Sequence, residues 1–88
     1  MKIKNGFIVR QVAGSWVVVA TGEQSKSFNG VIKLNESGKL LWDRLFVGAE
    51  KNELVDVLLG EYGIDRKQAE EDADNFIGDL RDAGALED

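Results

Sequence analysis

In the stretch Val31-Ile32-Lys33-Leu34-Asn35-Glu36-Ser37-Gly38-Lys39-Leu40-Leu41-Trp42, the hydrophobic pattern of the chain changes from that of a strand to that of a helix. Val31 to Leu34 opens with a β-branched pair behind the turn-forming dipeptide Asn29-Gly30, which predicts a short strand. From Asn35 the spacing is helical. Asn35 is of N-cap type, and Leu41, Trp42, Leu45 and Phe46 make two i, i+4 pairs on adjoining faces. A strand running straight into a capped helix divides the 88 residues into a β part followed by an α part.

Upstream, Phe7 to Val12 and Trp16 to Ala20 are rich in aromatic and β-branched residues. Gly14-Ser15 between them supplies the Gly-X pair of a two-residue type II′ hairpin. Alternation sets Trp16 opposite Val17, so one of the two faces outward. The polar stretch Glu23 to Ser27 has no strong period and is expected to be a mobile loop. Downstream, Gly48 ends the first helix. A second, from about Glu50 to Tyr62, places Leu54, Val55, Leu58, Leu59 and Tyr62 on one stripe and stops at Gly63. Asp65 caps a third, with Gln68 completing a capping-box pattern and Ala69, Ala73, Phe76, Ile77 and Leu80 facing inward before Gly84. Trp42, Phe46, Tyr62 and Phe76 all lie on these stripes and are expected in the core. The predicted fold class is α+β and winged-helix-like: a three-stranded antiparallel sheet followed by three helices, forming one domain over residues 1–88.

Composition excludes several classes of function. With no histidine and no cysteine, the chain has no imidazole base, no thiolate, no zinc set of the usual kind and no disulfide framework. No enzymatic activity, metal or other cofactor is expected. No apolar run approaches the roughly 20 residues that cross a bilayer, and no export signal opens the chain, so a cytoplasmic protein without a membrane partner is expected. Residues 1–34 carry five basic side chains against one acidic, a balance of +4, whereas residues 35–88 carry six against fifteen, a balance of −9.

That acidity bears on binding partners. The third helix, Asp65 to Asp82, has seven carboxylates against Arg66, Lys67 and Arg81, which would repel phosphate, so no nucleic-acid partner is expected. Glu70, Glu71, Asp72 and Asp74 point around a helical cylinder rather than converging, and read as a solvated face. The glycines are scattered singly, with no phosphate loop. The sheet has an edge, and the strand Val31 to Leu34 either exposes it idly, blunted by Lys33, or accepts an extended peptide there by strand addition.

Leu34-Asn35-Glu36-Ser37-Gly38 with Leu41-Trp42, then Glu61-Tyr62-Gly63-Ile64-Asp65, Glu71-Asp72-Ala73-Asp74-Asn75-Phe76-Ile77 and Leu80-Arg81-Asp82-Ala83-Gly84-Ala85-Leu86 form an ordered set of motifs. With the opening Val9-Arg10-Gln11-Val12 and Val17-Val18-Val19, this set resembles the PqqD family over roughly residues 5 to 87. The resemblance implies a recognition element for ribosomally made, post-translationally modified peptides (a RiPP recognition element). Such a domain is a non-catalytic chaperone that binds the leader of a precursor peptide and delivers it to a radical SAM peptide-modifying enzyme. It further implies that the leader adds as a strand to Val31, Ile32, Lys33 and Leu34, in a cleft whose other wall carries Asp72, Ala73, Asn75, Phe76, Asp79 and Leu80. Ala73 stands where the family often has a larger aliphatic residue, which implies a wider cleft, and Ala49 stands where a hydroxyl cap is common, which implies a fraying second helix. The rival readings are a winged-helix transcriptional regulator or its accessory subunit, and a scaffold that pairs its free edge with itself.

Overall fold

Strand alternation puts Phe7, Val9, Trp16, Val18, Ala20, Ile32 and Leu34 on one face of a twisted sheet, and that face is covered by helices. In the computed structural model, which describes residues 1–27 and 30–87, the order is β1 (Lys2–Ile3), β2 (Phe7–Val12), β3 (Ser15–Ala20), α1 (Gln24–Ser27), β4 (Ile32–Leu34), α2 (Glu36–Val47), α3 (Lys51–Tyr62), α4 (Arg66–Asp82) and β5 (Leu86–Glu87). Strands β2, β3 and β4 form the antiparallel sheet in that order. Trp16 faces the core and Val17 does not, which settles the alternation left open by the sequence.

The hairpin turn differs from the one expected. Val12 pairs with Ser15, so the loop is Ala13-Gly14, with φ of 50° and 81°. Two successive positive φ angles make a type I′ turn, whose twist matches that of the strands, whereas the expected Gly14-Ser15 turn would have needed only one. The stretch read as a mobile loop contains α1, a single helical turn in which the Ser25 hydroxyl donates to the Gly22 carbonyl at 2.6 Å. The turn expected at Asn29-Gly30 involves residues outside the described ones. A further two-stranded sheet, β1 with β5, was not legible in the sequence because two residues cannot show a period. It is extended by Lys4 N–H donating to the Ala85 carbonyl at 2.8 Å.

Each main helix begins at a named cap. Asp65 accepts from Gln68 N–H at 2.8 Å at the start of α4. The Gln68 side chain does not reach back to complete a capping box; its Nε2 donates to Asp72 at 2.8 Å. At α3 the N-cap is Glu50, whose N–H donates to the Glu53 carboxylate at 3.2 Å, so this helix has a side-chain cap of its own despite Ala49. Gly63 ends α3 in the left-handed conformation, φ 57°. The core combines Phe7, Val18 and Leu34 from the sheet with Leu41, Trp42, Leu45, Leu54, Val55, Leu58, Ala69, Ala73, Ile77 and Leu80 from the helices.

Three of the four aromatics expected in the core are not buried there. Phe46 is 55% exposed because α2 buries Gly38, Leu41, Trp42 and Leu45, and position 46 falls one step beyond that stripe. Tyr62, in the last turn of α3, is 37% exposed, and Phe76 is half-buried against the core's edge. No helix among the described residues is long and apolar enough to cross a membrane.

Ala13 is the single described non-glycine residue with positive φ. Replacing it by asparagine, which tolerates this region and precedes a glycine, is expected to stabilise the fold by about 0.5–1 kcal/mol. A rise in the urea midpoint at unchanged slope checks this.

Candidate functional site

Among the described residues, β4 is paired on one side only, by β3, in the register Trp16 to Leu34, Val17 to Lys33 and Val18 to Ile32. In an antiparallel ladder, alternate backbone groups turn away from the partner strand, so β4 keeps an edge with hydrogen-bonding capacity. Its position is fixed at its end. Leu34 is buried, and Asn35 immediately caps α2, its Oδ1 accepting from Gly38 N–H at 2.8 Å and from the Ser37 hydroxyl at 3.0 Å. Gly38 permits this close junction: a Cβ there would meet Asn35 Oδ1 at 3.1 Å and the Leu34 Cβ at 3.5 Å.

Between this strand-to-helix junction and α4 lies a cleft of about 590 Å³. Leu34, Leu41, Leu58 and Phe76 are its apolar lining, and Lys33, Asp72, Asn75 and Asp79 are prominent among its polar residues. The α4 contribution is a helical stripe, residues 72, 75, 76 and 79, lying beside the buried stripe of Ala69, Ala73, Ile77 and Leu80. A second recess of about 410 Å³ shares Asn35, Ser37, Leu58 and Asp72 with the first and reaches Glu36, Tyr62 and Ile64.

The charges in the cleft are unbalanced. Asp74, on another face of α4, pairs with Lys51 at 2.9 Å, whereas Glu36, Asp72 and Asp79 have no ion pair among the described residues. Desolvation, reinforced by the carboxylates of Glu36 and Glu61, raises the Tyr62 phenol above its usual 10.0 and keeps it neutral. Trp16 lies beneath Lys39, whose Nζ is 4.5 Å from the ring centroid, and the same ammonium contacts Asp43 at 2.6 Å. No group of three or more potential metal ligands occurs among the described residues. The site therefore offers backbone hydrogen bonding, apolar lining residues and a net negative charge, Asp72 and Asp79 against Lys33.

Of the residues singled out in the sequence, Lys33, Leu34, Asp72, Asn75, Phe76 and Asp79 line the cleft together. Ile32 is half-buried on β4, packed toward the core, and Val31 precedes the strand and is exposed. Ala73 and Leu80 are fully buried in the core, because they belong to the inner stripe of α4. Ala73 accordingly does not widen the cleft. Sequence reasoning missed Ser15, Asn35, Ser37, Gly38, Leu41 and Leu58 as lining. These come from β3, the β4–α2 junction, α2 and α3, and carry no common local signal, because only packing brings them to one cleft.

Residues 15–86 match the family described as coenzyme PQQ synthesis protein D (PqqD). No curated protein matches the sequence. Among solved structures, the chain is similar to TbiB1 in complex with the TbiA(beta) leader peptide, with TM-score 0.79 and 25% identity over 99% of this chain and 95% of that one. It also shares the fold of a lasso peptide synthetase B1 complexed with the leader peptide, with TM-score 0.76 and 23% identity over 96% of this chain and 93% of that one.

Asn35→Ala removes an acceptor shared by Gly38 N–H and the Ser37 hydroxyl and is expected to destabilise the protein by about 1 kcal/mol, measured by urea unfolding. Ultraviolet titration of Tyr62 is expected to give a midpoint above 10.0, moving downward in Glu36→Gln. Since the folded state holds this proton more tightly, its contribution to stability is present below pH 10 and fades as pH rises through the elevated midpoint.

Proposed function

The chain belongs to the PqqD family, and from that premise we propose that it is a RiPP recognition element, binding the leader of a ribosomally made precursor peptide as a strand added to β4. The leader lies along the cleft between that edge and α4. Residues Ile32, Lys33 and Leu34 supply the docking edge, with Val31 leading into it. Asp72, Asn75, Phe76 and Asp79 supply the facing wall, which Ala73 and Leu80 back from the core.

The observation carrying this reading is an edge strand, paired on one side among the described residues, beside a recess lined by both apolar and polar side chains. Strand addition takes affinity from main-chain hydrogen bonds and specificity from side chains that enter pockets alternately. It is further supported by the similarity to TbiB1, a protein seen with a leader peptide. On this reading the chain works as a whole, as one recognition domain, and is a chaperone rather than a catalyst. Its lining has amide, hydroxyl, carboxylate and apolar groups, which suit recognition of an extended chain. The partner that receives the leader is a radical SAM peptide-modifying enzyme, a step supported by the family resemblance. The DNA-binding alternative is disfavoured by the two aspartates that α4 presents to the cleft.

Titration with a leader peptide synthesised from a precursor reading frame beside the gene is expected to shift amide resonances of Ile32 to Leu34 and of Asp72 to Asp79. Alternate N-methylation of that peptide is expected to abolish binding in one phase and spare it in the other, as a one-sided ladder requires. Phe76→Ala is expected to weaken binding about tenfold. Shifts confined to the β2–β3 hairpin, or equal tolerance of every N-methyl group, would refute strand addition to β4.

A further inference from the structure

The electrostatics of the cleft restrict which peptide it takes, an inference that rests on the strand-addition reading. Asp72 and Asp79 stand at the two ends of the α4 stripe with Phe76 between them, and neither has an ion pair among the described residues. Asp72 is held in place by the Gln68 amide at 2.8 Å, and Glu36 adds negative charge to the adjoining recess. Seven residues of helix separate the two aspartates by roughly 10 Å along the axis. In an extended peptide, residues four apart are about 13 Å apart and face the same side, with the residue midway between them facing the same way. Lysine or arginine side chains are long enough to absorb the difference.

Lys33 adds the opposite constraint. Lys33 borders the cleft at the strand edge, but its side chain, exposed between inward-facing Ile32 and Leu34, alternates to the outer face of β4. A basic residue directly across the ladder from it would be repelled. Basic residues are thereby favoured at the inward positions of an added strand and disfavoured at the outward one beside Lys33.

We propose that this cleft selects leader segments of the pattern basic-x-apolar-x-basic, with the apolar residue against Phe76 and the two cations against Asp72 and Asp79, and with a neutral or acidic residue beside Lys33.

The test is selection of a displayed library of random decapeptides on the wild-type chain and on the folded variants Asp72→Asn and Asp79→Asn, with circular dichroism verifying the fold of each. The winning wild-type peptides are then synthesised and titrated into labelled protein. Expected are Lys or Arg enriched at two positions four apart around an apolar residue, and loss of one such enrichment in each variant. Each variant is also expected to bind the synthesised wild-type winner more weakly by up to about fivefold, the upper end for single partly exposed ion pairs. Affinity is expected to fall as salt rises from about 0.05 M to about 0.5 M.

Winners that shift Ile32 to Leu34 but carry neutral or acidic residues at the inward positions overturn the charge pattern and leave strand addition standing. Enrichment unchanged in both variants does the same. Winners that bind without perturbing β4 or α4, or a library that yields no binder, overturn the strand-addition reading and this inference with it.

Discussion

The cleft depends on one junction, the passage from Leu34 to Asn35. Leu34 is locked into the core opposite Trp16, while the next side chain turns to cap α2. A three-residue strand has little pairing energy of its own, so burial of its last residue and the start of a helix within one residue keep β4 at a fixed height and angle. Gly38 is part of the same constraint, since the first turn of α2 approaches the strand to a distance that a side chain would crowd. An edge anchored in this way can stay unpaired on one side without slipping in register.

Helix α4 is the second half of the arrangement and has two tasks on adjacent stripes. Ala69, Ala73, Ile77 and Leu80 bury it, with alanines allowing close approach to its neighbours. Asp72, Asn75, Phe76 and Asp79 face the cleft one step around the cylinder. The Lys51 to Asp74 contact adds a link to α3, although pairs this exposed contribute at most about 1 kcal/mol. The wall is therefore held by packing, and its polar stripe, apart from the Gln68 to Asp72 hydrogen bond, is left to make contacts of its own.

The proposed role fits the energetics of such a site. An extended peptide that is disordered when free loses roughly 2–5 kcal/mol on ordering, which main-chain hydrogen bonds and the apolar lining must offset. Side-chain charge on α4 then discriminates among peptides more than it adds affinity. Moderate affinity suits a protein that must release its peptide to another.

Local signals in the chain were sufficient for the order of the hairpin strands, β4 and the three long helices, though not for β1, α1 or β5. Periodicity located the hairpin strands, the short third strand and the three long helices, and the cap residues Asn35 and Asp65 marked two helix starts, because these depend on residues within one or two turns of each other. The same locality limits what can be read. The β1–β5 pair joins residues more than eighty positions apart and has no period, and the type I′ turn was set by the register in which Val12 meets Ser15. Whether Ala73 or its neighbour Asp72 faces the cleft is a rotation of α4 about its axis, and whether Phe46 is buried is a rotation of α2. Such rotations are decided only when the helices pack on the sheet and on one another, since burial rewards the arrangement of all the stripes together rather than any one of them.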